Sequence, residues 1–246
     1  MKRLMLALVL PGLLAAQVKL PPYTREVLPN GTVVFYAPRT GLPLVNFRVL
    51  VKGGEESDAA QTAGLAQITA ELLQRGSARR TGAQFAEELD SLGGVFMART
   101  DEQATMINAE FLKKDFDRGL ALVADAVLGP AFAEDEVRKA LARQADRLKS
   151  MKDNPAMAIG NYYRAFFFGA AHPYGHVPDE ASLDRIRRDD IAAYHQRMYV
   201  GRNLVVIVAG DFDAAAARAR VAAAFGAAPA GTAYAWSEDR PPSDHA

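Results

Sequence analysis

The stretch GLAQITAELLQRGS, Gly64 to Ser77, sets Leu65, Ile68, Leu72 and Leu73 on one apolar stripe at helical spacing. Gln67, Ala70 and Glu71 share another face of the same helix. Residues at i and i+4, with a third at i+3, are how a helix presents two metal ligands and a general base. Gln is a weak ligand and Ala cannot accept a proton. From the spacing alone this face is a reactive site, the remains of one, or solvated surface.

The flanking sequence supplies strands. EVLPNGTVVFY places Asn30-Gly31 between two strand-like runs, a strong hairpin signal. LPLVNFRVLVKGG reads as a further strand closed by Gly53-Gly54, and a helix is predicted from about 60 to 74, stopped by Gly76. In RTGAQFAEELDSLGG, Thr81 and Gln84 have capping-box spacing, Phe85 and Leu89 face the core, and Gly93-Gly94 end the helix. VFMARTDEQATMINAEFL reads as two strands. KKDFDRGLALVADAVLG is an amphipathic helix with Phe116, Leu120, Val123 and Val127 at core spacing. AEDEVRKALARQADRLKSMKDNP is a longer helix, with acids near its start, bases near its end and Pro155 just beyond. More helix is expected over 161–168, then the loop HPYGHVPDEAS, a helix over 190–199, the buried strand NLVVIVAG and an alanine-rich helix begun by Asp213. The polar tail SEDRPPSDHA reads as a linker. Strands and helices mixed with antiparallel hairpins indicate an α+β fold rather than a doubly wound sheet.

Bulk properties narrow the function. The 246 residues are enough for a sizeable core, and 50% of them are hydrophobic, as in a soluble globular protein. The formal net charge of zero speaks against nucleic acid as a partner. The absence of cysteine excludes disulfides, thiolate metal sites, a cysteine nucleophile and lipid attachment through an N-terminal cysteine. Lys2 and Arg3, the apolar run LMLALVLPGLL and Ala15-Ala16 have the pattern of a signal peptide over residues 1–16. That run is short for a bilayer and broken by Pro11-Gly12, so no stable membrane span is expected. The expected location is therefore exported, periplasmic or extracellular.

Candidate reactive groups are few. His172 and His176 lie four apart in HPYGH, but the intervening Pro173 and Gly175 argue for a loop fixed by Pro and Tyr packing rather than a helical ligand pair. His195, beside Tyr194, reads as a partly buried helix residue, and His245 lies in the tail. There is no GxSxG elbow, and the adjacent pairs Glu87-Glu88 and Asp189-Asp190 point in different directions on their helices. Composition and spacing lead as far as an exported α+β globular protein.

The order of local patterns goes further. VKGGEESDAAQTAGLAQITAELLQRGS resembles the segment of the insulinase, pitrilysin and mitochondrial processing peptidase family that carries the inverted zinc motif H-x-x-E-H. LPNGTVVFY is similar to that family's opening L-x-N-G hairpin, and LDSLGGVFMARTDEQATMINAEF to its Gly-Gly and two-strand stretch. HPYGHVPDEASLDRI and YVGRNLVVIVAGDFD resemble its H-P-Y-G loop and a late strand ending in Gly-Asp. The likeness runs from about Tyr23 to Phe225. It implies one peptidase-type domain over 23–228, a mostly antiparallel sheet packed against helices, and a linker or disordered tail over 229–246.

Aligned on Gly64-Leu65-Ala66, the resemblance puts the first metal histidine at Gln67, the glutamate base at Ala70 and the second histidine at Glu71. Aligned back from Asp153-Asn154-Pro155, the third ligand, a glutamate, falls on Arg147 and a supporting glutamate on Ala140; a one-residue shift would offer Asp146 instead. Hydrolytic zinc needs three good ligands, an activated water and a base. With every one of these positions changed, no catalytic residue and no bound metal are expected, and Glu71 is expected to pair with Arg147 across the vacated site, with Gln67 bonding nearby. The resemblance thus implies a catalytically inactive subunit of an exported zinc metallopeptidase. It would help to form a peptide chamber in a heterodimer with a homologous active subunit, or beside a second domain. The rivals are a stand-alone peptide-binding or scaffold protein, and a metalloendopeptidase whose rebuilt site recruits His172 or His176.

Overall fold

A computed structural model describes residues 21–236. The expected signal peptide, residues 1–16, and the last part of the expected tail, 237–246 with His245, lie outside the described residues.

Among the described residues six strands form one mixed sheet: β1 (Thr24–Val27), β2 (Val33–Pro38), β3 (Leu44–Lys52), β4 (Val95–Thr100), β5 (Ala104–Leu112) and β6 (Leu204–Gly210), in the order β1-β2-β6-β3-β5-β4. Every neighbouring pair is antiparallel except β2 and β6. The α+β class and the mainly antiparallel sheet are as the sequence indicated. The β1–β2 hairpin turns at Gly31, whose φ of 92° an L side chain rarely adopts. Asn30 in the same turn donates from Nδ2 to the carbonyls of Phe225 and Ala228, tying the start of the fold to its end.

Strand β6 comes last in the chain yet sits between β2 and β3, with Val206 opposite both Val34 and Val49. On β3, the buried Val45, Phe47, Val49 and Val51 alternate with Asn46, Arg48 and Leu50, which are only partly covered or exposed. The buried face is covered by helices, among them α1 (Leu65–Leu72) and α3 (Phe116–Leu128). Phe47 meets Phe116 edge-on at 5.2 Å between ring centroids. Each such fully buried side chain is worth about 1.5–3 kcal/mol relative to exposure.

The remaining helices are α2 (Gly82–Ser91), α4 (Glu134–Lys152), α5 (Pro155–Phe168), α6 (Glu180–Leu183), α7 (Arg188–Met198) and α8 (Ala214–Phe225). The capping box forms as its spacing predicts: Gln84 N–H donates to Thr81 Oγ1 at 3.2 Å and Thr81 N–H to Gln84 Oε1 at 2.9 Å.

Two expectations need correction. The helix predicted from about 60 begins at Leu65, preceded by two 3-10 turns, Gly54–Ser57 and Ala60–Thr62. Gly64 has φ 98°, which breaks helical continuity, and the Asp58 carboxyl oxygens accept from Gly64 N–H at 3.0 Å and Ala66 N–H at 3.0 Å. The start of α1 is therefore set by a buried acid in the preceding loop. The segment 229–236, expected to be linker, is fastened along the domain. The Pro229 and Ala230 carbonyls accept from Gly201 and Arg202 N–H at 2.7 and 3.0 Å. Further on, the Tyr234 hydroxyl donates to buried Glu56 and the Trp236 indole N–H to the Gln103 carbonyl, each at 3.0 Å.

Candidate functional site

Helix α1 packs against α4 and α7 as well as the sheet, so it is a core helix with one narrow open face. Leu65, Ala66, Ile68, Thr69, Ala70 and Leu72 are buried, while Gln67 and Glu71 are only partly covered. Ala70, grouped with them by sequence, is 1% exposed.

Helix α4 lies opposite. Its buried residues are Val137, Ala140, Gln144 and Leu148, spaced three or four apart, and Gln144 is the polar member of that stripe at 4% exposure. A buried amide needs partners. Gln144 Nε2 donates to Gln67 Oε1 at 3.1 Å, and Gln144 Oε1 accepts from Arg147 Nη1 at 3.0 Å.

The expected Glu71–Arg147 pair does not form. Glu71 Oε1 instead accepts from Arg143 Nε at 2.9 Å and Nη2 at 2.7 Å, one turn earlier on α4. Arg147 lies on the exposed side of the helix and, among the described residues, reaches the site through Gln144. Asp146 also points away, its oxygen 3.9 Å from Lys149. The Glu71 and Arg143 side chains are 18% and 41% exposed, which caps what the pair can contribute. Arg143→Ala is expected to cost less than about 1 kcal/mol in chemical denaturation, the range for solvent-screened pairs.

The geometry also relocates the third corner of the constellation. Two ligand atoms on one tetrahedral zinc, each about 2.1 Å from the ion, stand roughly 3.4 Å apart. The contacting atoms of Gln67 and Gln144 are 3.1 Å apart, so Gln144, rather than Arg147, faces the first ligand position. Ala140, which the alignment assigned to the supporting glutamate, is fully buried one turn before Gln144. Sequence reasoning missed Gln144 and Arg143. The available signal was a lone polar residue in the apolar register Val137, Ala140, Leu148.

The three described histidines are engaged elsewhere. His172 Nδ1 accepts from Tyr174 N–H at 3.0 Å, and its ring lies 4.9 Å from Phe168 and 5.2 Å from Tyr174, the loop packing that Pro and Tyr suggested. His176 Nδ1 lies 3.3 Å from the Asp58 carbonyl. His195 donates from Nε2 to the Val127 carbonyl at 2.8 Å and stacks on Tyr199 at 4.4 Å, and burial lowers its pKa.

A family model described as Insulinase (Peptidase family M16) matches residues 34–170, and a second, described as Peptidase M16 inactive domain, matches residues 185–245. Over 191 residues the chain is 29% identical to an uncharacterized zinc protease of Mycobacterium leprae, covering 77% of this chain and 43% of that one. Over 212 residues it is 23% identical to the mitochondrial-processing peptidase subunit beta of Blastocladiella emersonii, covering 85% and 45%. Among solved structures, a peptidase M16 inactive domain from Pseudomonas fluorescens superposes with a TM-score of 0.83 at 24% identity, covering 88% of this chain and 53% of that one. A Helicobacter pylori protease gives a TM-score of 0.80 at 20% identity, covering 92% and 54%. The chain spans less than half the length of these curated relatives.

Some of these relatives are named zinc proteases, so the donors at the matching place in this chain bear on zinc directly. Zinc takes thiolate, imidazole and carboxylate. Here Gln67 and Gln144 offer neutral amides already bonded to each other, and Glu71 is held by a guanidinium. Among the described residues no group of three or more His, Cys, Asp and Glu side chains is placed to hold a metal ion. The donor set does not fit zinc.

Proposed function

The chain belongs to the insulinase family, peptidase family M16, and on that premise we propose that it is a non-catalytic member, a domain that lines the peptide chamber of an exported zinc peptidase. Zinc and hydrolysis then come from a homologous half bearing an intact H-x-x-E-H motif. The observation that carries this reading is the replacement of a whole ligand-and-base set at once. Two amides and an ion pair stand where three ligands would be, and a buried methyl group occupies the position of the base. Without a metal there is no water of lowered pKa, and without a carboxylate at residue 70 nothing there takes its proton. The match to a model described as an inactive domain supports a role in the fold of a larger assembly. The pattern of Lys2, Arg3, the apolar run and Ala15-Ala16 supports export.

Co-expression of the tagged full chain with an intact homologue from the same genome tests this. The expected result is a stoichiometric complex that cleaves an unstructured peptide, while the chain alone does not. Cleavage by the chain alone would overturn the reading. Absence of any complex would favour a stand-alone peptide-binding protein.

A further inference from the structure

The amide and guanidinium groups at the vacated site have fixed hydrogen-bond directions. Arg147 has only donors, so the Gln144 oxygen must face it. The Gln144 –NH2 then faces Gln67, which must present its own oxygen. The Gln67 –NH2 is thereby turned away from the pair, and among the described residues it has no acceptor. Amide placement, ambiguous in isolation, is settled here by the guanidinium at the end of the chain of bonds.

Charge points the same way. Arg143 and Arg147 carry two positive charges and Glu71 one negative, leaving the cluster with a net charge of +1. Arg147 has no carboxylate within ion-pair distance among the described residues, and the nearby Asp146 faces Lys149. A face that in a zinc enzyme gathers acceptors around a cation here holds, among the described residues, an amide –NH2 with no acceptor and a guanidinium with no carboxylate partner.

We propose that this face binds a peptide carboxylate, with the Arg147 guanidinium and the Gln67 –NH2 as its binding groups. The inference rests on the chamber-wall reading and deepens it by naming the peptide group recognised. Guanidinium and amide N–H groups both donate to carboxylate oxygens, and bonds to a charged acceptor are about twice as strong as neutral ones. A C-terminal carboxylate and an acidic side chain share this chemistry.

Three peptides separate the sources when titrated into the full chain at low ionic strength: acetyl-tetra-alanine with a free carboxylate, the same peptide as its C-terminal amide, and acetyl-Ala-Glu-Ala-Ala-amide. The readouts are Kd and the NMR shifts of the Gln67 side-chain amide and the Arg147 Nε–H. A carboxylate peptide is expected to bind roughly fivefold to tenfold more tightly than the amide and to move both signals. Preference for the first peptide assigns the C-terminus, and preference for the third assigns an acidic side chain. Arg147→Gln is expected to abolish the preference with the circular dichroism spectrum unchanged, and Arg147→Lys to keep part of it. Equal affinity for all three peptides, or a preference that survives Arg147→Gln, overturns the inference. Zinc content and peptide cleavage of the same samples report separately on the chamber-wall reading.

Discussion

A chain carrying Gln67→His, Glu71→His and Gln144→Glu is expected to bind about one zinc ion, where the natural chain is expected to bind none. The expectation rests on distance. Gln67 and Gln144 already meet at 3.1 Å, close to the edge of a tetrahedral zinc site, and Glu71 lies one turn from Gln67 on the same helix. With Ala70 unchanged, this variant should hold the metal without cleaving peptides, because no base is present. Adding Ala70→Glu tests whether hydrolysis returns in a complete ligand frame. Arg147 opposes the gain, since its guanidinium would sit against the carboxylate introduced by Gln144→Glu and compete with the ion. Adding Arg147→Gln to the triple variant is therefore expected to tighten zinc binding on the order of tenfold, the scale of outer-shell effects. Metal analysis after dialysis checks both steps. A correctly folded triple variant with no zinc would mean that α1 and α4 do not converge as described.

Asp58→Ala is expected to destabilise the chain by about 3 kcal/mol in chemical denaturation, because two buried N–H groups lose their acceptor at about 1–3 kcal/mol each. Asp58 is 5% exposed and holds the start of the helix that carries Gln67 and Glu71. The loss therefore acts on the site as well as on the fold. Asp58→Asn keeps an acceptor oxygen and should lose less than half as much. Burial pushes the Asp58 carboxyl up to about 8, against the backbone N–H groups of Ala66 and Gly64, which pull it down. The folded state thus holds this proton more tightly than the unfolded chain does. Its contribution is fully present below about pH 4 and fades as pH rises towards 8. Across that window the stability of the natural chain should fall relative to Asp58→Asn. A difference that is flat with pH, or of opposite slope, would show that Asp58 is ionised in the fold throughout.

The features legible in the sequence are those decided by neighbours. The Asn30-Gly31 hairpin, the Thr81–Gln84 capping box and the β4–β5 pair all form from residues a few positions apart. The central place of β6 is not legible, since its partners β2 and β3 lie more than 150 residues earlier and pattern alone does not rank nonlocal pairings. The onset of α1 escapes a local reading because Asp58 caps it from six residues before Gly64, through a folded loop. On α4 an alignment anchored at the helix end lands three residues late. Three residues turn a helix by about 300°, enough to exchange a buried position for an exposed one. Arg147 is thereby named where Gln144 stands, and Glu71 finds Arg143 in its place. Residues 229–236 fall to the expected tail because the family likeness runs only to about Phe225. The bonds that fasten 229–236 run to Gly201, Asn203, Glu56 and Gln103, which no local pattern links to it.

Zinc content of the natural full chain, purified without chelators, equilibrated with a small excess of zinc and dialysed, tests the central claim most directly. A chain whose ligand positions hold Gln67, Glu71 and Gln144, with Arg143 and Arg147 against them, should retain less than about one-tenth of an ion per molecule. Retention of about one zinc per chain that is lost in Gln67→Ala would contradict the account.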